Sequence, residues 1–483
     1  MAAVAQAQPT TSEPVGSART PSSSSSRSGG PNDASPDPKG RRARRIGLAI
    51  AITAVVAGSS WRFVTADHVS TPLTPVATVA PTSAEGLARL ETAAQAKPGD
   101  PGRWAALGTA YTHKAIETSD PAYTALATKA FDRADAAAGP AGDFRSFTGR
   151  GALELNLHRF ADALVSGQRA HALAPDNADS LAVIVDAQVE LGRYDEAAGS
   201  LQAVLDRKPN LAALSRASYL RELHGDTEGA VVAMRQAEAA GQPGTFAVAT
   251  VIALEGDLAF AQGNLAEAGA QYDRSLLAAP GLIGARMGRA RVLAATGQRQ
   301  EAIGQLEELT ATIPQPAAVA LLGDLQSASG QTAAAEKSYG LVRTISKLQQ
   351  ASGAVTDLEL ALFEADRGSA PVALDLAQKA YAERPSIYGA DALAWALHRS
   401  GRDTAALPLV AQSLRLGSAD ALLHYHAAAV YAAAGPDQRN RAISELTATF
   451  ATNPNFSFAL AGEAVALAHR LGVSVPAVLE GSL

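Results

Sequence analysis

Apolar positions along most of this chain are filled by small residues that recur in a fixed frame. Seven segments carry a glycine, four intervening residues and then an alanine, and successive glycines lie 33 to 38 residues apart. The glycines are Gly192, Gly225, Gly263, Gly297, Gly330, Gly368 and Gly401. A fixed period of this length is the sequence signature of a repeat solenoid. The pattern therefore predicts an array of paired α-helices.

The second half of one unit, from Gly263 to Pro280, shows what each position does in such a pair. A glycine closes the turn after the first helix, because it adopts the left-handed conformation without steric cost. Ala268 lies one turn into the second helix, where a small side chain lets the two helices cross closely. Tyr272 follows as a large packing residue, and Pro280 prevents the helix from continuing.

The first unit carries the most specific residues. Its first helix contains Trp104, Leu107, Gly108 and Tyr111, and its second contains Ala127, Phe131, Ala134 and Pro140. These residues resemble the tetratricopeptide repeat, which has Trp, Leu, Gly and Tyr on its first helix and Ala, an aromatic, Ala and Pro on its second. The resemblance implies an all-α, right-handed superhelical solenoid of about ten helix-turn-helix repeats.

A different pattern precedes the array. Residues 46–64 are almost continuously apolar, and as a helix they would span roughly 28 Å, enough to cross a hydrocarbon core. Four arginines within residues 41–45 come directly before this run, which predicts a single-pass anchor with a cytoplasmic N-terminus and an extracytoplasmic array. Residues 1–45 are rich in Ser, Pro and Gly, and we interpret them as a disordered basic tail.

The same N-terminal features allow two other interpretations. The apolar run could belong to a cleaved signal peptide, with Val55–Ala57 as the cleavage context, and the protein would then be secreted. Clustered arginines also occur in nuclear-localisation and nucleic-acid-binding segments. Their position directly against an apolar run favours a membrane segment, and both membrane interpretations place the array outside the cytoplasm.

The remaining boundaries follow from the repeat frame. Residues 65–97 are predicted to be a linker and a leading half-repeat helix. Residues 98–455 are predicted to form the tetratricopeptide-repeat array. Residues 456–483 are predicted to form a capping helix and C-terminal tail, because a solenoid needs a polar cap over its last repeat.

Charge and composition remove several classes of function. The net charge is −6, but residues 1–45 carry +4, so the rest of the chain carries −10. An acidic body argues against nucleic acid as a partner. The chain has no cysteine, which excludes thiol chemistry and cysteine-ligated metals. No metalloprotease, P-loop or nucleophile-elbow motif occurs, so the sequence predicts no catalytic residue, no cofactor and no metal site.

The resemblance implies that partner segments bind on the concave face formed by the first helices of the units. The residue after the small position of each first helix should face it, beginning with Thr109, Ala152 and Asp186. The candidate partner-binding residues are Asp186, Tyr219, Asp257, Phe260, Arg291, Asp324, Trp395, His398 and Tyr425. Recurrent aspartates with aromatics towards the C-terminus are typical of an acidic groove for a basic or extended segment, or of simple solvation of the groove.

These observations predict a membrane-anchored protein–protein interaction scaffold without enzymatic activity. An envelope assembly factor is a second hypothesis, because the order of anchor, linker and array is similar to that of anchored tetratricopeptide proteins of cytochrome c maturation. An enzyme with an unrecognised site is the third hypothesis.

Overall fold

The structure of the protein is a computed structural model that describes residues 82–118 and 120–480. The predicted tail at 1–45 and the predicted anchor at 46–64 lie outside the described residues. No helix in the described part of the chain combines the length and apolar content needed to cross a membrane.

The described residues form α-helices and two short 3-10 turns, with no β-strand. The helices are α1 (Ala84–Ala96), α2 (Pro101–Thr118), α3 (Pro121–Ala138), α4 (Phe144–Asn156), α5 (Phe160–Leu173), α6 (Ala178–Glu190), α7 (Tyr194–Arg207), α8 (Leu211–Leu223), α9 (Thr227–Ala240), α10 (Phe246–Ala261), α11 (Leu265–Ala278), α12 (Ile283–Ala295), α13 (Arg299–Thr312), α14 (Pro316–Ala328), α15 (Thr332–Ala351), α16 (Asp357–Arg367), α17 (Ala370–Glu383), α18 (Ile387–Arg399), α19 (Asp403–Ser413), α20 (Ala421–Ala434), α21 (Arg439–Thr452), α22 (Ala461–Leu471) and α23 (Ala477–Glu480).

Helices α2 to α21 pack as successive pairs, and we number these pairs as units 1 to 10. Each pair packs in turn against the next, α1 packs on α2 ahead of unit 1, and α22 packs on α21 after unit 10. The all-α repeat solenoid predicted from the sequence is confirmed for the described residues. The right-handed superhelical sense stays a prediction.

The turn inside each unit explains the repeated glycine. Gly192 follows α6 by two residues and has φ +71°, a left-handed conformation in which an L side chain is strained. Five other frame glycines also have positive φ. Gly368 differs from the expectation, because its φ is −137° and the turn between α16 and α17 is built another way.

Small residues on the successive first helices α10 and α12 leave room for the large ring of Tyr272, which belongs to α11. Ala268 is completely buried, and the Tyr272 ring lies between Gly256 on α10 and Gly288 on α12. A Cβ atom added at Gly288 would lie 2.2 Å from that ring, so no larger residue fits without rearrangement. Alanine and glycine therefore set the spacing of the helices.

A second set of contacts, which we call the seam, joins residues about six units apart. The Ile387 amide donates to Tyr194 Oη at 3.0 Å, and Asn453 Nδ2 donates to the Phe260 carbonyl at 2.8 Å, each across 193 residues. The Val355 amide donates to the Leu157 carbonyl at 2.9 Å. The seam thus places the turns of units 2 to 5 against the connections that precede units 8, 9 and 10 and follow unit 10.

Candidate functional site

A cavity of about 360 Å³ lies over the first helices of units 1 to 4, and we call it the N-terminal groove. Its apolar wall is built from small or medium side chains on α1, α2, α4, α6 and α8, namely Leu90, Ala105, Ala106, Ala110, Ala152, Leu155, Ala182, Val183 and Ala212. Thr109, His113, Phe144 and Thr148 complete much of the rim. Because the wall is apolar and the side chains are short, the groove suits an apolar side chain of a partner.

The groove brings together positions that the sequence placed on one face. Thr109, Ala152 and Asp186 are the predicted groove positions of units 1, 2 and 3, and all three line this cavity. The remaining wall was missed by sequence reasoning. In the sequence, this wall is marked only by alanines on consecutive first helices. Such alanines do not stand out in an alanine-rich chain.

Asp186 forms a buried ion pair with Arg216 at one end of the groove. Arg216 Nε and Nη2 donate to the two carboxylate oxygens at 2.6 Å and 2.7 Å, and both side chains are almost wholly buried. Burial raises the pKa of Asp186, although the Arg216 charge opposes that rise. The paired arrangement leaves little net charge to attract a partner at this point.

The other two recurrent aspartates are paired in the same way. Tyr272 Oη donates to Asp257 at 2.7 Å, and Arg291 also contacts that carboxylate. Arg367 Nη2 donates to Asp324 at 2.6 Å. In all three cases the arginine lies on the first helix of the following unit, so these pairs link units 3 to 4, 5 to 6 and 7 to 8. The recurrence of the aspartates therefore has a structural explanation.

The C-terminal aromatics are packed inside the molecule. Trp395 has no exposed surface, and its Nε1 donates to Asp366 at 2.7 Å. Its ring is stacked between His398 and His426, with ring centres 5.0 Å and 4.1 Å away. Tyr425 is buried in the same cluster, with its ring centre 5.0 Å from that of Phe456. A partner could touch these two rings only after the cluster opened.

The remaining candidates are divided between buried and half-buried positions. Tyr219 and Phe260 are buried, and the Arg291 guanidinium lies 4.8 Å from the Phe260 ring centre. His398 is partly exposed and its Nδ1 lies 2.5 Å from Asp403. Partner binding by any of the nine candidates stays a prediction. Within the described residues, no cluster of three or more His, Asp or Glu side chains is arranged to hold a metal ion.

Part of the chain matches a known protein family. Residues 155–218 match the model of the tetratricopeptide repeat family. No curated protein sequence matches the chain.

Three solved structures illustrate the similarities found. A thermophilic TPR protein of Thermus thermophilus is 23% identical, with 36% of this chain and 92% of that chain covered and a TM-score of 0.32. The human IFIT1 dimer with m7Gppp-AAAA is 14% identical over 69% and 78%, with a TM-score of 0.45. PilF of Pseudomonas aeruginosa is 14% identical over 42% and 91%, with a TM-score of 0.35. The family match, taken with ten helix pairs in series, supports a tetratricopeptide-repeat protein.

Proposed function

We propose that this chain is a non-catalytic scaffold that binds a segment of a partner protein in the N-terminal groove. The observation that carries this proposal is the groove itself: four consecutive first helices present short apolar side chains to one open cavity. Protein-recognition clefts are commonly apolar, with a few polar groups at the edge, and this groove has that composition. The aromatic cluster around Trp395 is buried and offers no comparable surface.

The groove favours an apolar rather than a strongly basic segment. Asp186 is neutralised by Arg216, and Asp179 on the rim lies 3.4 Å from Lys208. Binding should therefore rest on buried apolar area, which depends little on salt, because screening acts on unbalanced surface charge. A steep salt dependence of the association rate would instead support the acidic groove suggested by the sequence.

Filling the groove tests the site. Ala182 lines the groove, whereas Ala270 is exposed on α11 and lies outside it. For a partner identified by proximity labelling of the full-length protein, we expect Ala182→Trp to weaken binding about tenfold or more, since a central hot spot is worth ~2 kcal/mol. Ala270→Trp should leave the affinity unchanged.

Circular dichroism of both variants controls for folding. If Ala182→Trp binds as well as Ala270→Trp while both remain helical, the groove is not the binding site.

We further propose that residues 46–64 attach this scaffold to a membrane, with the array on the extracytoplasmic side. The supporting features are the apolar run and the arginines directly before it. Protease added to intact spheroplasts should digest the array and spare residues 1–45. Complete protection of the array in intact spheroplasts, with digestion after lysis, would contradict this topology.

A further inference from the structure

His158 stands where units 3 to 9 carry a glycine. It follows α4 by two residues and precedes Gly192 by 34 residues, so it occupies the turn position of unit 2. Its φ is +57°, and among the described residues it is the one non-glycine residue with positive φ. A side chain at such a conformation is strained, and strain of this kind persists where the side chain makes a contact that compensates for it.

The imidazole of His158 makes its contacts across the seam. Nδ1 lies 3.5 Å from Glu359 Oε1 on α16, and the ring is stacked on Phe160 at 5.3 Å between centres. The side chain is almost wholly buried. The preceding residue accepts the seam hydrogen bond from Val355, so His158 sits beside a backbone contact between units far apart in sequence.

Two further charged side chains complete this group, which we call the seam cluster: His158, Glu359, Arg384 and Glu190. Arg384 Nη2 lies 2.9 Å from Glu190 Oε2 on α6, and Arg384 Nη1 lies 3.6 Å from Glu359 Oε1. Arg384 and Glu190 are buried. The cluster therefore holds two carboxylates and one permanent cation. One proton makes it neutral, and without that proton it carries a buried negative charge.

The neighbouring groups do not supply the missing charge. Arg159 pairs with Asp162 at 2.6 Å, and Asp186 pairs with Arg216. Tyr194, Tyr219, Asp357 and Glu383 also lie beside the cluster, and none of them is a cation at neutral pH. Arg415 lies over the Tyr194 ring, 5.2 Å from its centre, and donates to the Gly192 carbonyl and not to a carboxylate of the cluster. The charge balance of the cluster therefore depends on its own proton.

The electrostatics of the carboxyls agree with a shared proton. Burial alone would raise the pKa of Glu359, but His158 and Arg384 outweigh it and lower the pKa to about 2. Burial raises the pKa of Glu190 despite the charge of Arg384. Glu359 is therefore ionised, and Glu190 is the carboxyl on which burial favours a proton.

We propose that the seam cluster is a proton-dependent latch, which holds unit 2 and unit 3 against unit 8 while it keeps one proton and loosens the seam when that proton leaves. A buried charge without a partner is costly, so deprotonation disfavours the closed contact.

Distance measurements on the full-length chain can test the latch directly. The chain has no native cysteine, so Ala161→Cys and Ala382→Cys place two spin labels uniquely at exposed positions on α5 and α17. A cavity beside the seam cluster is lined by Ala161 from one side and by Glu383 and Arg384 from the other, so the label pair spans the contact. We expect one short distance at about pH 5.5 and an about twofold loss of that population by about pH 8.5.

Two variants separate this proposal from general pH sensitivity. His158→Asn keeps a residue that tolerates the left-handed conformation but removes the imidazole, so the short-distance population should be lost at a lower pH than in the parent. Glu359→Gln removes one carboxylate and leaves Arg384 balanced by Glu190, so the seam should stay closed throughout the range.

A second label pair controls for global loosening. Ala239→Cys and Ala270→Cys are exposed on α9 and α11, away from the seam cluster, and their distance should not change. The latch is wrong if the seam distance is independent of pH in the parent. It is equally wrong if Glu359→Gln responds to pH as the parent does, or if the control pair changes to the same extent.

Discussion

At the residue scale, Gly225 and Gly330 adopt the same backbone conformation in different surroundings. Both have φ +74° at the turn inside their unit. A Cβ atom at Gly225 would lie 2.2 Å from the Gly417 carbonyl oxygen across the seam, whereas a Cβ atom at Gly330 would meet nothing within 4 Å. The sequence frame treats the two glycines alike, but only Gly225 also allows close approach of a distant segment.

Alanine substitution should separate these two roles. Gly330→Ala should lower the free energy of unfolding by about 1–2 kcal/mol, the cost of a left-handed L residue. Gly225→Ala should cost that amount plus about 1–3 kcal/mol for the clash with the backbone at Gly417. Urea denaturation followed by circular dichroism measures the free energy of unfolding of both variants. Equal losses would show that the backbone at Gly417 moves to accommodate the added methyl group at no energetic cost.

At the element scale, the first helices are joined by pairs of aspartate and arginine. Asp186 with Arg216 is the most buried of the three pairs, with side chains about 4% and 6% exposed. Removing one member leaves the other charge buried without a partner, whereas replacing both with apolar residues removes that penalty. Comparing the stability of a variant that lacks one member with that of a variant that lacks both therefore shows whether the pair acts as a structural link.

We expect Arg216→Met to destabilise the protein by about 3–5 kcal/mol. Asp186→Leu combined with Arg216→Met should recover most of that loss. Both are measured as shifts of the urea midpoint. A double variant less stable than Arg216→Met alone would contradict this account.

The helix α20 carries two histidine–carboxylate pairs. His426 Nδ1 lies 2.9 Å from Asp391, and His424 Nδ1 lies 2.5 Å from Glu445. Burial alone would lower the pKa of His426, but Asp391 outweighs it and raises the pKa. The hydrogen bond with Glu445 raises the pKa of His424. Because both values rise above those of the unfolded chain, these pairs stabilise the fold below about pH 6.5 and lose this effect as the pH rises.

Hydrogen exchange can detect this loss helix by helix. After correction for intrinsic exchange, protection of α20 amides should fall between about pH 6 and 8, relative to α12, which has no histidine, aspartate or glutamate. His424→Gln with His426→Gln should remove the difference. Protection of α20 that is flat or rises with pH in the parent would contradict the prediction.

At the scale of the whole molecule, the sequence predicts the packing within and between neighbouring units, but it does not predict contacts between residues far apart in the chain. The repeat period, the turn glycines and the buried Ala268 are visible because each unit packs mainly on its neighbours. The burial of Trp395 depends on Tyr425, His426 and Asp366 from two other helices, which periodicity cannot reveal. His158 breaks the glycine frame in the printed sequence, but its meaning appears only when Glu359 lies beside it.

The seam also affects how this chain can fold during synthesis. A simple solenoid has only neighbouring contacts, so its first units can reach their final state before the last ones are made. Here the hydrogen bond of Tyr194 cannot form until Ile387 has been synthesised, and that of Phe260 cannot form until Asn453 has been synthesised. The two partners are 193 residues apart in each case. Contacts between such distant residues slow folding, because a long loop must close before they form. The early units therefore leave the ribosome with an uncovered edge, and a nascent chain halted before residue 355 would keep that whole edge available to chaperones.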